Sequence, residues 1–168
     1  MADNYLEKRY EEVFGRNQSS GRGPAAGRAV PAKPSLDKLL SLLSDCTEYD
    51  NSYEVHPVQM EAILGVLSRY PAPEGVRFEA VTKKNEGSST FPEAYIIASL
   101  DNNRDIDIDT AVRLGAAIQN IRLKATEIGL SSTLYTRFDK ESVKRTLGPA
   151  STPVSIIGIG KTLNTQNR

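Results

Sequence analysis

The sequence predicts a single α/β (α+β) domain, and three stretches carry that expectation. Ala94 to Leu100 is an unbroken apolar run of strand length, the pattern of a strand covered on both faces. Val154 to Ile159 is a second such run. Between them, Thr110 to Ile128 sets Leu114, Ile118, Ile121, Ala125 and Ile128 on one helical stripe, which Ala111, Val112, Gly115, Ala116 and Ala117 widen almost all round. Charges enter that helix only at Arg122, Lys124 and Glu127, so it is expected to be buried.

The remaining elements follow in order. Asn4 to Phe14 reads as a short helix with Leu6, Tyr10, Val13 and Phe14 on one side. Such a helix is marginal alone and must dock on this chain or on another subunit. Residues 15–34 change to Gly, Ser, Ala, Pro and Arg, the composition of a mobile linker. Arg16, Arg22, Arg28 and Lys33 have no aromatic residues between them, so they read as a solvated tether. The expected organisation is therefore a docking helix at 1–14, a linker at 15–34 and the folded domain at 35–163. Ser35 is a natural N-cap for a helix carrying Leu36, Leu39, Leu40 and Leu43. After the polar stretch from Ser44 to Glu54, Pro57 opens a helix with Val58, Ala62, Ile63, Val66 and Leu67 on its apolar side. The Tyr70–Gly75 breaker cluster stops it, and Val76 to Thr82 alternates as a half-buried strand. Lys83 to Pro92 is a polar loop. Gly129 supplies a left-handed cap after the long helix, and Ser132 to Thr136 is a short strand. Asp139 caps a helix with Val143 and Leu147 that ends at Gly148-Pro149.

Composition removes several functions. The 21 Lys and Arg balance the 21 Asp and Glu, so no net field recruits nucleic acid or an anionic membrane. The N-terminal residues lack a signal peptide's apolar stretch, and no apolar run approaches the ~20 residues that span a bilayer. A single cysteine, Cys46, suits a reducing compartment and reads as a small, partly buried residue; a cytoplasmic location is expected. One histidine and one cysteine cannot complete the ~4 ligands of a zinc site. His56, in Val55-His56-Pro57, reads as the start of a helix rather than as a catalytic base. Asp101, Asp105, Asp107 and Asp109 do not match a calcium loop and read as helix caps, with Asp109 the best placed. Gly158-Ile159-Gly160-Lys161 is too short to cradle a pyrophosphate and reads as a strand end. No catalytic side chain and no metal ligand stands out.

What does stand out is an ordered series. An apolar strand leads into the long helix, then Ala125-Thr126-Glu127-Ile128-Gly129-Leu130, a short strand, Phe138-Asp139-Lys140-Glu141 opening a helix, and a strand ending Gly158-Ile159-Gly160-Lys161. From Glu93 to Lys161 this series resembles the C-terminal half of the nitroreductase family of FMN-dependent oxidoreductases, and more weakly so from Ser35 to Thr82. The resemblance implies a central mixed sheet flanked by helices, an intertwined homodimer, and flavin sites at the subunit interface. It implies FMN as cofactor and NAD(P)H as co-substrate, with electrons passing through the flavin to a nitro compound, quinone or related small-molecule acceptor. Backbone groups at Tyr135, Thr136 and Arg137 are the positions that would face the reactive edge of the flavin, and Lys161 and Arg168 (or Arg77) the cations that would meet its phosphate.

The sequence also departs from that pattern. The family's Arg-x-x-Arg segment is Ser44-Asp45-Cys46-Thr47-Glu48-Tyr49-Asp50 here, with three carboxylates and no arginine. The family's Pro-Ser-x-x-Asn-x-Gln-Pro segment is reduced to Tyr70-Pro71-Ala72-Pro73-Glu74-Gly75. The alternative expectation is therefore a dimeric scaffold or small-ligand-binding protein that keeps the fold without flavin.

Overall fold

The structure, a computed structural model, describes residues 35–43, 45–82, 91–101, 105–148 and 151–163. The expected docking helix, the linker and Arg168 lie outside the described residues. Within them the chain runs α1 (Leu36–Leu42), α2 (Pro57–Leu64) with a 3-10 turn (Gly65–Ser68), β1 (Val76–Thr82), β2 (Ala94–Asp101), α3 (Ile108–Glu127), β3 (Ser131–Tyr135), α4 (Lys140–Leu147) and β4 (Ser151–Gly160).

The strands form one four-stranded sheet in the order β1-β2-β4-β3. It is antiparallel at every strand pairing, where a mixed sheet was expected; its parallel contact is the isolated bridge Asp45↔Ser132. β2 and β4 occupy the centre, which is why they are the two unbroken apolar runs. Ile96, Ile97, Ala98, Leu100, Ile157 and Ile159 are buried there, each large side chain stabilising the fold by about 1.5–3 kcal/mol. β1 is an edge strand, and only Val76 in it is fully buried.

β4 begins at Ser151, three residues ahead of the expected start. Pro153 has no N–H to give a ladder, which argues against a central strand. The register shifts between Ala98 and Ser99, opposite Pro153, and that irregularity admits the proline.

α3 packs against α1, α2, β3 and β4, and buries Leu114, Ala117, Ile118, Ile121 and Ala125. Ala111, Gly115 and Ala116 are exposed, as are Val112 at 67% and Ile108 at 85%. The sequence predicts burial nearly all round; the helix is instead buried on one face, because the other described elements pack on that side. The N-cap is Asp107 rather than Asp109: Thr110 N donates to Asp107 Oδ1 at 2.7 Å, while Asp109 sits in the first turn 3.8 Å from Arg113. At the other end Gly129 has φ 78°, Gly129 N donates to Thr126 O and Leu130 N to Ala125 O, the paired bonds of a Schellman cap. Among the described residues no helix is long and apolar enough to cross a membrane.

Gly158 and Gly160 share one face of β4, and both are close-packed rather than open. A Cβ on Gly158 would lie 2.7 Å from Pro92 Cγ, and one on Gly160 would lie 2.6 Å from Tyr49 Cδ1. The Tyr49 ring is 1% exposed and has no room to retreat. Gly160→Ala is therefore expected to cost about 1–3 kcal/mol in urea unfolding. An unchanged midpoint would show that the ring can move aside.

Candidate functional site

The expected site residues separate to the two ends of β3. At its C-terminal end stand Tyr135, Thr136 and Arg137. Tyr135 is half-buried; its ring lies 6.5 Å from that of Phe91, tilted by 36°, and covers Gly158. Burial raises its hydroxyl above the ordinary tyrosine range. Thr136 and Arg137 are exposed in the short connection to Asp139, whose carboxylate caps α4 by accepting from Glu141 N and Ser142 N. Thr136 and Arg137 thus form an exposed stretch that leaves the sheet just after the half-buried Tyr135.

At the N-terminal end of β3 the segment 45–50 is sewn across the ends of two strands. Cys46 N donates to Ser132 O at 3.4 Å, Asp50 N to Lys161 O at 2.8 Å, and Leu163 N to Glu48 O at 3.1 Å. Tyr49, packed on Gly160, donates its hydroxyl to Thr133 Oγ1 at 2.7 Å, and Thr133 in turn donates to Cys46 O at 2.7 Å. Burial pushes the Tyr49 hydroxyl far above the ordinary value, as a phenolate there would lose its hydration. Cys46 is buried and donates to Glu48 O at 3.1 Å, matching the structural role expected of it.

Charge at this end is arranged around Arg122. Its Nη2 lies 2.7 Å from Asp45 Oδ1 and its Nε donates to Ser132 Oγ at 3.1 Å, with the arginine side chain 13% exposed. Asp50 is held below the usual carboxylate range by hydrogen bonds from Ser52. Lys161 is exposed, with Nζ 3.4 Å from Gly129 O and 5.6 Å from the Tyr53 ring centroid. Because Gly160 pairs with Ser131, Lys161 belongs to the Asp45 end and not to the Tyr135 end. Four residue steps along the strand take Ser132 to Thr136, roughly 13 Å. Arg77 lies on β1, with two strands between it and β3, and pairs with Asp101 at 2.7 Å. Arg168 lies outside the described residues.

Sequence reasoning missed Arg122 and Tyr49. Arg122 looked like a solvated charge near a helix end. Tyr49 did leave a signal: glycines two apart in a strand share a face, and so leave room for rings.

With this geometry in place, comparison with known proteins is direct. The nitroreductase family model matches residues 48–161, more than half of the chain. The chain therefore belongs to the nitroreductase family. No curated protein matches it in sequence. Among solved structures, a nitroreductase with bound FMN from Bacteroides fragilis is 15% identical, with TM-score 0.62 over 80% of this chain and 92% of that one. An FMN-dependent nitroreductase from Clostridium difficile is 18% identical, with TM-score 0.58 over 76% of this chain and 88% of that one. A Staphylococcus epidermidis protein assigned as an NAD(P)H:FMN oxidoreductase is 15% identical, with TM-score 0.62 over 80% of this chain and 90% of that one. At such identities the likeness is one of fold.

The donor set decides how well FMN suits these residues. The exposed stretch Thr136-Arg137 suits a flavin ring, whose heteroatoms need donors but no particular side chain. The 45–50 segment does not fit the phosphate. It offers Asp45, Glu48 and Asp50 where a dianion needs cations, and the guanidinium of Arg122 is taken by Asp45 and Ser132.

Two measurements check this network. Arg122→Ala removes both of its bonds and is expected to cost about 1–3 kcal/mol, while Asp45→Asn costs under ~1 kcal/mol, since Asp45 is mostly exposed and Arg122 keeps Ser132. Equal losses would contradict that division. Tyr49 favours its neutral form in the fold, so its contribution is complete below the ordinary tyrosine value of 10.0 and is lost as pH rises above it. A tyrosinate titration should show one phenol ionising only with alkaline unfolding; ionisation together with the others would sink the assignment.

Proposed function

We propose that this chain is a flavin-dependent oxidoreductase of the nitroreductase type, working as a homodimer. It takes electrons from NAD(P)H and delivers them to a nitro compound, quinone or related small acceptor. The single observation that carries this reading is the exposed stretch Thr136-Arg137, following Tyr135 within the family-matched region. A flavin, when bound, supplies the hydride chemistry, and FMN is the flavin that the Bacteroides fragilis structure names. The chain's part is to orient the ring and to stabilise negative charge on it through N–H groups at 136 and 137. No catalytic side chain is required, in keeping with the absence of a candidate in the sequence.

The homodimer is supported by the outer face of α3. Ile108, Ala111, Val112, Gly115 and Ala116 form an exposed apolar stripe on a helix whose opposite face is core. Small residues there let a second helix approach closely, and such a stripe is expensive to leave in water.

A second reading, a dimeric scaffold or small-ligand-binding protein without flavin, is favoured by the Asp45–Arg122 pair, which occupies the one guanidinium described near the expected phosphate position.

The readings part on a ring-only ligand. Titration with lumiflavin, which has no ribityl tail, should quench the flavin fluorescence, and added flavin should make NAD(P)H oxidation depend on this protein. Neither effect appearing would leave the scaffold reading. For assembly, sedimentation should give a dimer that Val112→Glu converts to a monomer. A wild-type monomer at micromolar concentration would overturn the homodimer.

A further inference from the structure

We propose that this chain selects a flavin without a terminal phosphate, and binds riboflavin more tightly than FMN. The inference rests on the flavin reading above and concerns the other end of the ligand. If the ring sits at Tyr135–Arg137, the tail runs roughly 13 Å along β3 towards residues 45–50 and 161–162.

The ionisable groups described there are Asp45, Glu48 and Asp50 against Arg122 and Lys161. Arg122 is occupied by Asp45 and Ser132, while the exposed Lys161, beside the Gly129 carbonyl and the face of Tyr53, sets a single charge against the carboxylates of Glu48 and Asp50. Freeing Arg122 for a phosphate would abandon Asp45 beside that same phosphate. Three backbone donors here are engaged as well: the N–H groups of Cys46, Asp50 and Leu163 serve carbonyls. A phosphate dianion would arrive at a surface with excess negative charge.

Hydroxyl groups, in contrast, are plentiful at this end. Thr47 is exposed, and Ser131 and Thr162 bond each other at the rim. A hydroxyl both donates and accepts, so it can trade its present partner for a polyol hydroxyl without stranding a charge. The chemistry of this end matches a neutral ribityl chain and opposes a phosphorylated one.

The test is equilibrium binding of riboflavin and of FMN to the purified full chain, read by flavin fluorescence at low and high salt. Riboflavin should bind at least about fivefold tighter at low salt, since one like-charge contact at the surface is worth on the order of that factor. The gap should close as salt screens the repulsion. In Thr47→Arg/Glu48→Arg, which places cations on two exposed positions, FMN should gain about tenfold or more relative to riboflavin. FMN binding as tightly as riboflavin to the natural chain, or an unchanged ratio in the double variant, overturns this inference and leaves the flavin-dependent reading standing. Failure of both flavins to bind overturns both. Should the variant not fold, the salt series on the natural chain decides alone.

Discussion

The ring of Tyr49 against Gly160 holds the candidate site in shape. A tyrosine can reach this position only because β4 has no Cβ there, and once seated it brings its hydroxyl to Thr133 and so ties residues 46–49 to the edge strand. The bonds from Asp50 to Lys161 and from Leu163 to Glu48 complete a seam along which the chain before α2 closes over the end of the sheet. The seam is costly to open at its buried centre, Cys46 and Tyr49, where a group freed without water or a new partner loses ~1–3 kcal/mol. The candidate tail-binding end is therefore a fixed surface with a fixed charge pattern, and its chemistry can be argued from the side chains it displays.

That surface separates fold from function in this family member. The strands, the long helix and the Phe138-Asp139 turn keep the family's architecture, and the match over residues 48–161 follows from them. The charge pattern at 45–50 was free to change, because backbone bonds and Tyr49 hold the segment and its outward side chains do not. Asp45 illustrates the point: it is 60% exposed, and its partner Arg122 keeps a second bond to Ser132 without it. A fold can persist through such a change while its ligand preference shifts.

Much of the architecture was legible in the sequence because local chemistry and tertiary position agree. Ser35, Asp139 and Gly129 cap the helices they were expected to cap, and the strand at Val76–Thr82 has the expected bounds. The differences arise where a distant partner decides. Asp107 rather than Asp109 is the cap because the helix starts at Ile108, two residues ahead of the expected Thr110. Pro153 is admitted to a central strand by an irregularity in the β2–β4 pairing, where Val154 of β4 is left without a partner, that no local pattern reveals. Of the site, the run Tyr135–Arg137 was readable as consecutive positions. The Arg122–Asp45 pair spans 77 residues, and Arg77 was judged without knowing how many strands lie between it and β3. Sequence spacing carries no information of that kind.

The central claim is that this chain meets a flavin at its ring and not at its phosphate. The most direct measurement is phosphorus NMR of FMN mixed with excess protein, alongside proton spectra of its ring. Bound ring signals together with a phosphate that titrates at its free value, near ~6, is the predicted result. A phosphate resonance displaced by the protein and titrating well below that value would mean cations hold it, and would contradict the account.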